Sequence, residues 1–189
     1  METVTNKKII FLDRDGTLNP DPGYINSLDQ FEFYKNIFNP LQTLAENGYK
    51  FIIATNQSGV ARGIIPIESL NEIHQFIRDT FKQKNVPLLG IYYCPHHPGE
   101  GCNCRKPRWG LVESALADIE ISLSDSWLIG DSMCDVEMGI ASGIPALLVR
   151  TGNGIKTEAA LEYGNKPVEF IGDTLNDCAE FILNREWSK

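Results

Sequence analysis

Apolar residues along this 189-residue chain fall into two kinds of run. Short runs dominated by Ile, Leu, Val, Phe and Tyr occupy Lys8–Leu12, Lys50–Ala54, Leu88–Tyr93, Trp127–Ile129, Ala146–Val149 and Val168–Ile171, and predict strands. Between them lie stretches in which apolar residues recur every three to four positions. These predict helices over Phe38–Glu46, Ile67–Lys84, Leu111–Ile119, Val136–Ala141, Thr157–Tyr163 and Leu175–Leu183. The second helix has the plainest stripe, Leu70, Ile73, Ile77 and Phe81, with Pro66 expected in its first turn. Asn47-Gly48 and Gly143 are ordinary helix stops. Strands that alternate with helices and are apolar on both faces predict an α/β fold, a Rossmann-like doubly wound parallel sheet. Ligands of such sheets bind beyond the carboxyl ends of the strands. The residues that deserve attention are therefore Asp13, Thr55, Cys94 and Asp131, and all four carry chemistry.

The length suits one domain spanning 1–189, since domains run to roughly 100–200 residues. A chain of this size buries about 70% of its surface without help from disulfides or metals. Hydrophobic residues at 42% and charged residues at 22% exclude a disordered chain or a coiled coil. No apolar run approaches the ~18 residues of a membrane span. The polar lead into the first strand has neither the apolar stretch nor the cleavage site of a secretory signal, so a cytoplasmic protein with no membrane partner is expected. A monomer is expected as well. The net charge is −8, and the densest basic stretch is Arg105-Lys106-Pro107-Arg108, which excludes nucleic acid as a natural partner. A small anionic substrate would need a few local cations to reverse the potential in one cleft.

Asp13 and Asp15 stand two residues apart at the end of the first strand, so their side chains start out on the same side, and Gly16 lets the chain turn away behind them. Two like charges this close call for a cation or a shared proton, and their oxygens suit Mg²⁺. A carboxylate beside a metal can attack a phosphoryl group while its neighbour moves a proton. The spacing alone does not say which of the two attacks. Among the five cysteines, Cys94, Cys102 and Cys104 fall within eleven residues together with His96 and His97. Three thiolates and an imidazole match a closed tetrahedral zinc site of structural type, and spacing leaves the choice between the two histidines open. Cys134 and Cys178 fall in helical segments and are expected to behave as small buried hydrophobes.

Four segments, Phe11-Leu12-Asp13-Arg14-Asp15-Gly16-Thr17-Leu18, Ala54-Thr55-Asn56-Gln57-Ser58-Gly59-Val60-Ala61-Arg62-Gly63, Cys104-Arg105-Lys106-Pro107 and Ile129-Gly130-Asp131-Ser132, resemble the four motifs of the haloacid dehalogenase phosphatase superfamily. Within it, the chain resembles the heptose 1,7-bisphosphate phosphatases over about residues 8–155. The resemblance implies that Asp13 is the nucleophile, forming an aspartyl-phosphate, and that Asp15 is the general acid and later the base. Thr55 and Lys106 would hold the phosphoryl group. Asn56, Gln57, Ser58 and Arg105 would bind substrate, with Asn19 and Tyr24 on the loop that forms the other wall. Mg²⁺ would be held by Asp13, Asp15 through its backbone carbonyl, and Asp131, while Asp135 supports Asp131 or Lys106. Zn²⁺ would be held by Cys94, His96, Cys102 and Cys104, in a loop that fixes the approach of Arg105 and Lys106. Ser132 departs from relatives that carry Lys there.

The segments between Asp13 and Thr55, and between Thr55 and Lys106, leave no room for a large cap domain, so the active site is expected to be open and walled by loops. The function implied is a Mg²⁺-dependent phosphomonoesterase that removes the 7-phosphate of a heptose 1,7-bisphosphate, a small phosphorylated sugar. The alternatives are histidinol-phosphate phosphatase, suggested by the short spacer between His96 and Cys102, and an inactive zinc-organised binding module, which the intact Asp13, Asp15, Lys106 and Asp131 argue against.

Overall fold

The computed structural model describes residues 8–164 and 167–186; the polar lead at 1–7 lies outside them. Six parallel strands form one sheet: β1 (Lys8–Leu12), β2 (Tyr49–Asn56), β3 (Leu88–Cys94), β4 (Trp127–Gly130), β5 (Ala146–Val149) and β6 (Phe170–Gly172), in the order β3-β2-β1-β4-β5-β6. The helices are α1 (Phe38–Glu46), α2 (Ile67–Gln83), α3 (Gly110–Asp118), α4 (Met133–Ser142), α5 (Gly154–Gly164) and α6 (Leu175–Glu186). This is the doubly wound α/β sheet expected from the alternation of runs.

β1 shows why its run from Ile9 to Leu12 is apolar. Ile10 and Leu12 pack with Leu41 and Leu44 of α1, Ile73, Ile77 and Phe81 of α2, and Ile182 of α6. Ile9 and Phe11 point the other way, into a second core with Leu111, Val112 and Ala115 of α3 and Met138 of α4. Alternate residues of one strand thus serve two layers, so none of the positions from Ile9 to Leu12 is left for a polar side chain.

The element ends differ from expectation where a local contact decides them. Pro66 stands one residue before α2 with extended backbone rather than inside its first turn. α4 begins three residues early because Ser132 and Asp135 close a reciprocal capping box at its start. β6 is three residues long and begins at Phe170, where pairing with Leu147 of β5 starts. No large cap interrupts the fold: between β1 and α1 the only helical element among the described residues is a 3-10 turn at Leu28–Gln30. No helix among the described residues is long and apolar enough to cross a membrane.

The chain leaves β1 toward β2 and β3 on one side, then returns to lay β4, β5 and β6 on the other. The reversal lies between β1 and β4, and crevices in sheets of this kind open at such a point, beyond the strand ends. Leu12 pairs with Ile53 of β2 and with Ile129 of β4, so the residues that follow these three strands emerge side by side.

Because β1 feeds both cores, Ile10→Ala and Ile9→Ala should each cost about 2–5 kcal/mol, although their side chains face opposite layers. Urea denaturation of the two single variants checks this. A loss confined to one of them would mean that only one layer is tightly packed.

Candidate active site

At the reversal point Lys106 enters from the loop before α3, with 3% of its surface exposed. Its Nζ donates to Asp13 Oδ1 at 2.5 Å, to Asp135 Oδ1 at 2.6 Å and to the Ala54 carbonyl at 2.9 Å, which accounts for all three ammonium protons. Burial alone would drive the proton off, but Asp13 and Asp135 outweigh it and hold the ammonium charged well above the usual lysine range. One side chain thereby ties the ends of β1 and β2 to the first turn of α4. Asn56 fixes the backbone that carries it, accepting from Lys106 N at 3.1 Å and donating to Lys106 O at 3.2 Å.

Asp131 follows β4 and is 1% exposed. Its Oδ2 accepts from the Asn153 backbone N at 2.6 Å and from Asn153 Nδ2 at 3.3 Å, contacts that no motif in the chain announces. Gly16 packs directly against this carboxylate with φ +88, and a Cβ there would collide with Asp131 Oδ2, so the glycine after the acid pair is required twice over. Asp13, Asp131 and Asp135 bring carboxylate oxygens within 4.8 Å of one another. Three carboxylates surround one ammonium, which leaves two negative charges uncompensated in a buried space. Burial, then repulsion from Asp135, Asp131 and Asp15, pushes the Asp13 carboxyl well up despite Lys106. Burial and Asp135 push Asp131 up to about 6, against the pull of the Asn153 donors. A deficit of two charges among hard oxygen donors is what one divalent cation satisfies.

Asp15 is held apart from this cluster. Arg14 grips it with a bidentate fork, Nε to Oδ1 at 3.0 Å and Nη2 to Oδ2 at 2.7 Å. Asn19 Nδ2 adds a bond to Oδ1 at 2.9 Å and Gln57 Nε2 one to Oδ2 at 2.7 Å. Burial would raise the Asp15 carboxyl, but Arg14 and these amides outweigh it and hold it below the usual aspartate range. Its carboxylate is therefore not part of the metal-like cluster, where the third acid is Asp135.

The cleft between these groups has a volume of about 410 Å³. Asp13, Asp15, Thr55, Asn56, Gln57, Ser58, Arg105, Lys106 and Asp131 all line it, with Asp21, Gly23 and Tyr24 on one rim. Tyr24 is 42% exposed at the mouth. Asn19, expected to contact substrate, is instead wholly buried beneath Asp15, its amide donating to Asp15 and to the Pro20 carbonyl. Gln57 is also turned inward, bridging Asp15 and Thr55 Oγ1 at 3.0 Å. Arg105 points a guanidinium nitrogen, Nη1, that is buried without a partner. Cys134, expected to be a buried hydrophobe, lies half-buried on the cleft wall with Sγ 3.0 Å from Ser132 Oγ. Cys178 is fully buried.

In the loop after β3, Cys94, His96, Cys102 and Cys104 offer Sγ and Nδ1 atoms within 4.8 Å of one another. Four of the separations are 3.2–3.6 Å. A tetrahedron with zinc–sulfur bonds of about 2.3 Å has edges of roughly 3.7 Å, so the four atoms could hold a zinc ion with little movement. His97 is engaged elsewhere: its ring accepts from Gly99 N at 3.2 Å while Glu100 bonds its backbone, which caps the short turn Pro98–Glu100. Arg108 ties the loop together by donating to the carbonyls of Gly101 and Cys102. The residues that the sequence did not single out are Arg14, Asn153 and Thr151, whose hydroxyl bonds the Gly16 carbonyl at 2.6 Å. Arg14 carried a signal in its place between the two acids, whereas Asn153 and Thr151 reach the site only through the folding of the loop after β5.

Comparison with known proteins agrees with this geometry. Residues 103–178 match the family model described as HAD-hydrolase-like. The chain is 40% identical over 183 residues to the D-glycero-beta-D-manno-heptose-1,7-bisphosphate 7-phosphatase of Pasteurella multocida, covering 93% of this chain and 97% of that one. It is 37% identical over 185 residues to the enzyme of the same name from Escherichia coli K12, with 94% of each chain covered. Among solved structures it is similar to the D,D-heptose 1,7-bisphosphate phosphatase of B. bronchiseptica complexed with magnesium and phosphate. The TM-score is 0.84 and the identity 33%, over 94% of this chain and 99% of that one.

The charge imbalance has a measurable consequence. The metal-free folded state holds the Asp131 proton up to about pH 6, whereas an ordinary aspartate releases it near 3.8. Stability from this group is therefore fully present below about pH 4 and is lost as pH rises from there to about 6. In thermal melts without divalent metal, Tm should fall across that window, and millimolar Mg²⁺ should raise Tm more at pH 7 than at pH 5. A Mg²⁺ effect independent of pH would refute the assignment of the cluster.

Proposed function

The chain belongs to the family of D-glycero-beta-D-manno-heptose-1,7-bisphosphate 7-phosphatases, and from that premise we propose that it hydrolyses the 7-phosphate of a heptose 1,7-bisphosphate through an aspartyl-phosphate on Asp13. The observation that carries the mechanism is Lys106 Nζ bonded at once to Asp13 and Asp135 beside Asp131, in the buried lining of a cleft of about 410 Å³. Asp13 attacks phosphorus as the bond from phosphorus to the sugar oxygen breaks. Asp15 gives the departing oxygen its proton, and in the second step takes one from the water that displaces Asp13. A phosphoryl dianion seated beside Asp15 raises its proton affinity, which offsets the four donors that keep it ionised in the free protein.

The other groups stabilise the charge that the phosphoryl oxygens carry. Lys106 is fully desolvated, so its ammonium acts at close range in low dielectric. Thr55 Oγ1 accepts from Gln57, which leaves its own O–H free to donate to a phosphoryl oxygen. The unpartnered Nη1 of Arg105 is an anion donor in waiting, and its fork suits a phosphate. Ser58 and Tyr24 on the rims are placed for the sugar. Magnesium, held by Asp13, Asp131 and the backbone carbonyl of Asp15, would neutralise the carboxylates and polarise the phosphoryl group. Zinc in the Cys94, His96, Cys102 and Cys104 loop would act at a distance, by stiffening the chain that continues directly into Arg105 and Lys106.

The test is phosphate release from both anomers of heptose 1,7-bisphosphate, from histidinol phosphate and from fructose 1,6-bisphosphate, each with Mg²⁺ and with EDTA. Turnover should be greatest on the heptose, with the beta anomer that names the relatives preferred, and should vanish with EDTA. Best turnover on histidinol phosphate would overturn the substrate, and metal-independent turnover the mechanism. Asp13→Asn should abolish turnover with the fold intact, and Lys106→Met should lower kcat on the order of 100-fold or more.

Stripping zinc, or Cys102→Ser, should lower Tm and kcat together, because the same loop carries both cations. Full activity and an unchanged melt in a metal-free Cys102→Ser protein would remove the zinc loop from the mechanism.

A further inference from the structure

Three carboxylates meet at the reversal point, but few of their oxygens are left to a cation. Lys106 takes one oxygen of Asp13 and one of Asp135, and the other oxygen of Asp135 accepts from Ser132. Asp131 Oδ2 accepts from the backbone N and the side-chain amide of Asn153 at 2.6 and 3.3 Å, which occupies both of its lone pairs. Among the described residues no donor reaches Asp13 Oδ2 or Asp131 Oδ1. The cluster therefore offers a cation one oxygen each from Asp13 and Asp131 and none from Asp135. The segment that closes Asp131 Oδ2 is itself fastened at several points. Thr151, Gly152 and Asn153 follow β5, and Arg150 braces their base with a fork on both Glu158 oxygens at 2.7 Å and a bond to Asp173 at 2.7 Å. Thr151 Oγ1 donates to the Gly16 carbonyl at 2.6 Å, which ties the segment to the turn after the acid pair. Gly152, at φ +56, lies against both Gly16 and Asp131, and a Cβ there would collide with Asp131 Oδ2 and with Gly16 Cα. Two glycines and two donors thus enclose one oxygen of a carboxylate that lines the cleft.

We infer that Asn153 is a positioning residue that decides which ion the site accepts: it keeps Asp131 to a single coordinating oxygen and so favours Mg²⁺ over Ca²⁺. The inference rests on the reading of the cluster as a divalent-metal site. Mg²⁺ holds its ligands at about 2.0–2.1 Å in a near-ideal octahedron, and the two oxygens of one carboxylate span too narrow an angle to fill two of its corners. Ca²⁺ takes about six to eight oxygens at about 2.3–2.6 Å and accepts a carboxylate through both of its oxygens. Carboxylates that give one oxygen each therefore suit the first ion and leave the second short of ligands. Asn153 Nδ2 is the removable part of the restraint, because the backbone bond and the two glycines stay without it. Freed of that donor, Oδ2 regains an open lone pair, and the carboxylate gains freedom to tip both oxygens toward a larger ion. Asn153 acts only through Asp131.

Titration calorimetry of the full chain with Mg²⁺ and, separately, with Ca²⁺ tests this on wild type, Asn153→Ala and Thr151→Val. Asn153→Ala should weaken Mg²⁺ binding on the order of 10-fold and leave Ca²⁺ binding unchanged or tighter, so that the ratio of the two dissociation constants moves toward Ca²⁺. Thr151→Val keeps the amide but loosens the segment that carries it. It should move the ratio the same way by a smaller factor, and it serves if Asn153→Ala does not fold. A residue that only supports the fold would weaken both ions alike. An equal loss for the two ions, no change in either, or a shift toward Mg²⁺ therefore overturns the inference. Wild type that binds neither ion would instead overturn the reading of the cluster as a metal site, so the two failures are distinguishable.

Discussion

A single ammonium group joins three separate parts of the chain. Lys106 Nζ reaches Asp13 after β1, the Ala54 carbonyl in β2 and Asp135 in α4, and all three contacts lie within 2.9 Å. Each partner would be unfavourable alone: Asp13 and Asp135 are like charges in a buried space, and a lysine with 3% exposure has no water to solvate it. Together they are satisfied except for a residual charge of minus two once Asp131 is included. That residual charge is what a divalent cation would balance, while Lys106 and Arg105 supply the local cations that an anionic substrate needs on a chain with a net charge of −8.

The scaffold around Lys106 removes its freedom to move. Asn56 clamps its backbone from the end of β2 with two bonds, and the Cys94–Cys104 loop delivers it from the end of β3. Asp135 does double duty, bonding Lys106 through one oxygen while the other caps α4 through Ser132. That second task explains the Ser132 departure: the position is occupied by a capping hydroxyl rather than by a cation pointing into the cleft. Asp15, by contrast, is neutralised separately by Arg14. The two aspartates of the pair thus sit in different electrostatic surroundings, one against a lysine in the metal-like cluster and one in the fork of an arginine, as two different roles require.

Much of this was legible in the residues. The apolar runs marked every strand, because a strand buried on both faces leaves no polar position, and the strand ends marked Asp13, Thr55, Cys94 and Asp131 because a parallel sheet opens its crevice there. The density of thiols after β3 pointed to a metal-like cluster in the same way. Less legible were the partners of the acids. The resemblance implies substrate contacts for Asn19 and Gln57, yet their amides face inward to Asp15. Which way an amide turns depends on what carboxylate lies across the fold, and that is not a local property. Cys134 likewise stands on the cleft wall beside Ser132 rather than in the core, a placement that the segments packed across the fold decide.

The order of apolar and polar residues by itself determined the layers, the sheet and the strand ends from which chemistry had to emerge, because burial on alternate faces is written into spacings of two and of three to four. It also determined that the acid pair would turn sharply, since Gly16 follows it. Tertiary structure alone decided which charges meet: that Lys106 sits against Asp13 and Asp135, that Asn153 arrives from beyond β5 to hold Asp131, and that Arg14 folds back on its neighbour. Those pairings depend on distances of a few ångströms between segments far apart in the chain, and electrostatic energy in a buried space changes steeply over such distances.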